Sequence, residues 1–162
     1  MSEILASTFD QGTADNCCLA DFEVRRMNGK CNGSPDDFGP TVEFCCSDIN
    51  DTITVVFRAY DCHKNSNDCM VRVLVEDKIK PVCSAPANVT VSCEAFDPSL
   101  WAYGTATGSD NCCLDTITRT ANYNLFDTVC NRGTITRTFR SFDCAGNSSQ
   151  CTQRIIVTYE QD

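Results

Sequence analysis

The chain has 162 residues, 14 cysteines, one histidine and a formal net charge of −9. That length allows one medium domain or two small ones. The cysteine density leads to a disulfide scaffold in an oxidising setting, and so to an extracellular protein, secreted or at the cell surface. The acidic balance argues against nucleic-acid partners, which need clusters of lysine and arginine. No apolar run reaches the length of a spanning helix, so membrane insertion is not expected. Zinc is disfavoured, because the cysteines are either adjacent or well separated and His63 is alone.

In chain order, the opening MSEILASTFD has neither the basic start nor the apolar core of a signal peptide. The sequence is therefore read as a piece of a longer secreted protein. Asp15-Asn16-Cys17-Cys18-Leu19 follows, and Asp110-Asn111-Cys112-Cys113-Leu114 repeats it. The stretch GKCNGSPDDFGP carries Cys31, Asp36 and Asp37, and its Gly, Pro, Asn and Asp mark a surface loop ahead of Cys45 and Cys46. From Ile53, the residues Ile53, Val55, Phe57 and Ala59 fall at every second position, with Thr54, Val56 and Arg58 between them. That two-residue period predicts a half-buried strand. Cys69, Val71, Val73 and Val75 repeat the pattern, with HKNSND as the hairpin loop between the two runs.

Ile53–Val75 aligns without a gap on Ile135–Val157: both read I-T-x-x-F-R, an aromatic, Asp-Cys, then Asn-Ser before a second cysteine. The chain is thus an internal repeat, divided as residues 1–80 and 81–162. The second repeat opens with PVCSAPANVTVSC, including a predicted strand at NVTVS, and another short strand is expected at YGTATG. The first repeat lacks this opening strand and is read as cut from a longer tandem array. Arg137 and Gln153 fall at inward positions of the second repeat, which implies either a local bulge or a place near the rim of the sheets. Short strands with turns and no helical spacing predict an all-β protein, two tandem antiparallel β-sandwiches stapled by disulfides.

PVCSAPANVTVSC, GTATGSDNC, GTITRTFRSFDCAGNSSQCTQRIIV and the linker VEDKIKP together resemble the hyalin-repeat (HYR) family. More narrowly, they resemble the cysteine-rich HYR-like repeats of giant surface adhesins of Bacteroidota, the mobile adhesins of gliding bacteria among them. The likeness covers residues 81–158 well and 11–80 more loosely; the double cysteine and the insertion in the first repeat depart from the family pattern. The resemblance implies an immunoglobulin-like fold and a structural or adhesive repeat module, in cell-surface adhesion or gliding motility. The alternatives are a subunit of an extracellular filament assembled by strand donation, and a carbohydrate-binding module using an exposed aromatic platform at Trp101 and Tyr103. Expected partners are neighbouring repeats or identical subunits, surface polysaccharide, or a host or prey cell surface.

Several bridge patterns are open, because connectivity does not follow from sequence. The most local pairs Cys62 with Cys69 and Cys144 with Cys151. A rival joins Cys83 and Cys93 to Cys151 and Cys144. The vicinal cysteines are expected to reach outward, Cys17 or Cys18 to Cys45 or Cys46, with Cys31 taking the remaining partner, and Cys112 or Cys113 to Cys130.

No enzyme is expected: there is no redox Cys-x-x-Cys, and His63 lies in a polar loop without a counterpart in the second repeat. No cofactor is expected except calcium, for which Glu76, Asp77, Asp110 and Asn111 are candidate oxygen ligands; the favoured reading makes such acids solvated turn residues, with Asp61 and Asp143 bonding their own hairpins. Thr52, Thr116 and Thr128 sit in Asp-Thr-aliphatic motifs that resemble O-glycosylation sites of Bacteroidota, and Asn32, Asn50, Asn88 and Asn147 open Asn-x-Ser/Thr sequons.

Overall fold

A computed structural model describes residues 2–159. The chain is all-β and divides into two compact units, Met1–Asp77 and Lys78–Asp162; the sequence reading placed the division at 80/81. Among the described residues no helix is long and apolar enough to cross a membrane.

The first unit contains β1 (Ser2–Leu5), a 3-10 turn at Ala6–Phe9, β2 (Leu19–Arg26), β3 (Thr41–Phe44), a second 3-10 turn at Cys46–Asp48, β4 (Thr52–Asp61) and β5 (Ser66–Leu74). One sheet has the order β2-β4-β5, and β1 pairs antiparallel with β3 in another. Val24 and Val55 from the first sheet meet Val42 and Phe44 from the second around buried Ala6, with Val71, Val73 and Val75 packed at the margin. The alternation expected over β4 holds for Val55 and Phe57, but Val56 on the other face is also buried. Its cross-strand neighbours are Arg25 and Met70, long side chains whose stems flank it on that face.

The second unit contains β6 (Val82–Ser84), β7 (Val89–Ser92), a 3-10 turn at Trp101–Tyr103, β8 (Thr107–Ser109), β9 (Leu114–Asp127), β10 (Arg132–Asp143) and β11 (Ser148–Thr158). Its main sheet runs β7-β11-β10-β9, and β6 pairs with β8. β7 joins the edge of β11 in parallel, Val89 opposite Ile155 through Ser92 opposite Thr158. Ile135, Ile155 and Val157 form the core with Leu100, backed by Phe96, Tyr103 and Phe126.

The internal repeat is a structural one. Leu19 pairs with Asp61 and Asp21 with Tyr60, across an irregularity in the ladder; Leu114 pairs with Asp143 and Thr116 with Phe142, across the same irregularity. The hairpin loops also match: Lys64 has φ 66° where the second repeat has Gly146 at φ 91°. Glycine suits that left-handed backbone, and lysine adopts it at a cost.

Arg137 and Gln153 are not at the rim, and a register shift of β10 against β9 falls between Thr134 and Thr136, just ahead of Arg137. They sit directly opposite each other on β10 and β11, at 2% and 0% exposure. Arg137 Nη1 donates to Gln153 Oε1 at 2.8 Å and Nη2 to the Gly104 carbonyl at 3.0 Å. Gln153 Nε2 donates to the carbonyls of Ala87 at 2.7 Å and Tyr103 at 3.0 Å. Polar groups tolerate burial when their hydrogen bonds are made. Here they tie the loops before β7 and after the 3-10 turn to the main sheet.

Candidate functional site

The feature shared by both units is a stapled hairpin. In each, an aspartate ends the penultimate strand and organises the loop. Asp61 Oδ1 accepts from the amides of His63 and Asn65, both at 2.8 Å, and Oδ2 from Asn65 Nδ2 at 2.6 Å. Asp143 Oδ1 accepts from the amides of Ala145 at 3.0 Å and Asn147 at 2.7 Å, and Oδ2 from Asn147 Nδ2 at 2.7 Å. The Asn65 side chain, opposed by burial and aided by the Asn65 and His63 amides, holds Asp61 below its ordinary pKa. Burial pushes Asp143 up, but the Asn147 side chain and the amides of Asn147, Ala145 and Gly146 leave it lowered on balance. His63 is exposed in its loop.

The cysteine after each aspartate bridges to the strand alongside. Cys18 bonds Cys62, with Cα atoms 5.8 Å apart, and Cys113 bonds Cys144, at 5.5 Å. Both separations suit a disulfide. The expected pairs Cys62–Cys69 and Cys144–Cys151 do not form, because the hairpin register sets Cys69 opposite Phe57 and Cys151 opposite Phe139, well along the strand from the loop. The pairing of Leu19 with Asp61 and of Leu114 with Asp143 instead brings Cys18 to Cys62 and Cys113 to Cys144.

Cys151 takes Cys83 of β6, one half of the rival scheme. The other half fails: the Cys93 amide donates to the Thr158 carbonyl, at the far end of β11 from the hairpin, and its thiol is free. Cys31 bonds Cys45, beneath the guanidinium of Arg26, whose Nη1 lies 3.5 Å from Cys31 Sγ. Cys46 and Cys112 are also disulfide-bonded. Cys130 is free in the turn between β9 and β10, at the opposite end of β9 from Cys112 and Cys113, so the expected bridge to it is absent. Cys17 and Cys69 are free and exposed.

Neither Arg26 nor Asp48 was singled out by the sequence, yet they form a buried ion pair in the first unit. Arg26 Nη1 and Nη2 donate to the two Asp48 oxygens at 2.7 and 2.8 Å, with the residues 7% and 6% exposed. The Asp48 carboxylate also accepts from the Cys45 amide at 2.8 Å. The Arg26 hydrogen bonds, opposed by burial and aided by that amide, hold Asp48 below its ordinary pKa. The second of two adjacent arginines in a strand and an aspartate more than twenty residues later carry no local signal that they meet.

Among the acidic candidates Asp110 has a local role, and one of its carboxylate oxygens lies within 4.8 Å of one from Asp143. Asp110 Oδ2 accepts from the amides of Cys112 at 2.9 Å and Cys113 at 3.0 Å, so this residue orients the double cysteine. Its Oδ1 is buried without a hydrogen-bond donor. Glu76, Asp77 and Asn111 each engage a partner. Asp36 accepts from the Arg26 amide at 2.7 Å, and Asp37 is exposed.

Trp101 and Tyr103 do not form one platform. Trp101 is 60% exposed, with the Arg119 guanidinium 3.8 Å from its ring centre. Tyr103 stacks on Phe96, and its hydroxyl accepts from the Asp97 amide at 2.7 Å. Thr52, Thr116 and Thr128 are all exposed, as are Asn32, Asn50 and Asn88. Asn147 is half-buried, and its side-chain nitrogen is committed to Asp143.

No protein-family model matches the chain, and no curated protein matches it.

Proposed function

We propose that the chain is a structural and adhesive repeat module of a long extracellular surface protein, built as two immunoglobulin-like, HYR-type sandwiches. The observation that carries this reading is the recurrence of one staple at one place: Cys18–Cys62 and Cys113–Cys144 close equivalent corners of the two units. Each bridge limits the freedom of the unfolded chain, and Cys83–Cys151, with a sequence separation of 68, encloses the Cys113–Cys144 loop as well. Small sandwiches with thin cores gain most from such links. The bridges also suit an oxidising compartment. The reading assigns no catalytic step.

The test is retention under flow. Beads coated with the chain should be held on polysaccharide-coated or cell-coated surfaces better than albumin-coated beads, and a thiol reductant should abolish the difference. Equal retention of the two bead types would remove the adhesive part of the proposal.

One observation favours a carbohydrate-binding reading: Trp101 is an exposed indole held on one face by Arg119. Aromatic faces of this kind stack on sugar rings. Glycan binding that is lost in Trp101→Ala would support it.

A further inference from the structure

Both units bury an arginine in the same layer of the fold, and they neutralise it differently. The strand pairs β2–β4 and β9–β10 are equivalent. Val24 stands opposite Phe57 and Arg26 opposite Val55, as Arg119 stands opposite Phe139 and Ala121 opposite Arg137. The buried arginine has changed strands, from Arg26 on β2 to Arg137 on β10. In the first unit the counter-charge is internal, the Asp48 carboxylate. In the second unit Arg137 is 2% exposed, and its hydrogen bonds go to neutral acceptors, Gln153 and the Gly104 carbonyl. Among the described residues it pairs with no carboxylate. Arginine keeps its charge in proteins, and a buried charge is costly until an opposite one comes to it.

The second unit adds a further positive charge here and no negative one. Where the first unit has the fully buried Val24, the second has the exposed Arg119. Opposed and alternate residues of a ladder share a face, so Arg119, Ala121 and Arg137 lie on one side of the sheet. Burial first, and the Arg119 charge second, pull the Arg137 guanidinium below its ordinary pKa. Arg119 likewise pairs with no carboxylate among the described residues. Two like charges therefore converge without an acid between them, in a chain whose net charge is −9.

The two arginines line one cavity of about 200 Å³, with Ser99, Leu100, Thr120 and Ala121 as its other walls. Ala121 stands where the first unit has Arg26, and its single methyl leaves the space open. Beside Leu100, the exposed Trp101 holds the Arg119 guanidinium 3.8 Å from its ring centre. A guanidinium that stacks through its plane keeps its N–H edge for a planar anion.

We propose that this cavity binds the carboxylate of a uronic-acid residue in an acidic polysaccharide. Arg119 takes the carboxylate through its N–H edge, Arg137 supplies a second positive charge from beneath, and the sugar ring lies toward the Trp101 indole. A polypeptide carboxylate carries the same charge, but the exposed indole at the mouth favours a pyranose ring. The cavity is smaller than those that take drug-sized ligands and leaves room for one ring of a polymer that runs on across the surface. Such sites are weak singly and gain by repetition along a polymer. The proposal rests on the carbohydrate-binding reading of Trp101 and gives that reading its substrate class.

The test measures binding of the full chain to surfaces carrying polygalacturonate, alginate or hyaluronate, each compared with its carboxyl-reduced, neutral form. At least one acidic polymer should bind about tenfold or more tightly than its neutral form, the margin expected of a hydrogen-bonded charge pair. Arg119→Ala should lose that margin; Arg119 is exposed, so the core stays intact. Arg119→Lys keeps the charge without the planar fork and should recover only part of it. Arg154→Ala removes an exposed arginine from β11 and should leave binding as it is.

Equal binding of the acidic and neutral forms would overturn the proposal and leave the carbohydrate reading standing, whereas binding of neither would remove both. The proposal would also fall if Arg119→Ala bound as the unaltered chain does, or if Arg154→Ala lost as much. Polyglutamate bound as tightly as the acidic polysaccharides would overturn it too, by assigning the cavity to acidic polypeptides.

Discussion

Arg137 and Gln153 face each other across β10 and β11, fully buried and 2.8 Å apart, at the positions that Val55 and Val71 fill in the first unit. One fold thus accepts either a polar or an apolar pair at the same place in its core. Gln153→Val and Arg137→Val should each destabilise the second unit, the former by about 1–3 kcal/mol, because it leaves a buried guanidinium short of an acceptor. The double variant Arg137→Val, Gln153→Val should lose clearly less than either single change. Urea melts of the three variants measure this, and additive losses would contradict it.

The Arg26–Asp48 pair gives the first unit an acid limit. The folded pKa of Asp48 is lowered, so its contribution to stability is present above the unfolded carboxylate value, about 4, and is lost as pH falls through the folded value. Stability should therefore decline below about pH 4. In Asp48→Asn that part of the decline should vanish, with about 3–5 kcal/mol lost at neutral pH because Arg26 stays buried without its counter-charge. Denaturant midpoints followed from pH 7 to 2 give both numbers.

Lys64 carries a left-handed backbone where the other repeat uses Gly146. Lys64→Gly should stabilise the first unit by about 1 kcal/mol, while Gly146→Lys should cost the second unit a similar amount. Thermal melts of the two variants test the symmetry of the two hairpins.

The cysteines are unequal in weight. Cys62→Ser removes a link spanning 44 positions and should cost about 2–5 kcal/mol. Cys69→Ser removes an exposed free thiol and should leave the melting temperature unchanged. Non-reducing peptide mapping should recover Cys18–Cys62 and Cys113–Cys144 and no Cys62–Cys69 peptide.

Much of the fold was legible because alternation is local. Val55, Phe57, Ile135 and Phe139 announce their strands by a two-residue period, and the matched hairpins reveal the repeat. Asp61 and Asp143 were readable as loop organisers, since an aspartate bonds amides only two to four residues on. Cys83–Cys151 stood among the schemes the sequence left open, but Cys18–Cys62 did not, because the partner of Cys62 is set by lateral strand register and not by distance along the chain. The same holds for Arg26 and Asp48, which meet only when β2 and the second 3-10 turn come together. Trp101 and Tyr103, two positions apart, turn to different surroundings because the 3-10 turn that carries them does not align their rings.

Extension of single molecules of the full chain, with and without a thiol reductant, tests most directly whether the bridges make these repeats mechanical elements. With bridges intact, the residues enclosed by Cys83–Cys151, a separation of 68, should stay hidden when the second unit opens. Reductant should release them as added contour length of roughly 3.5 Å per residue. The same released length in both conditions would contradict the account.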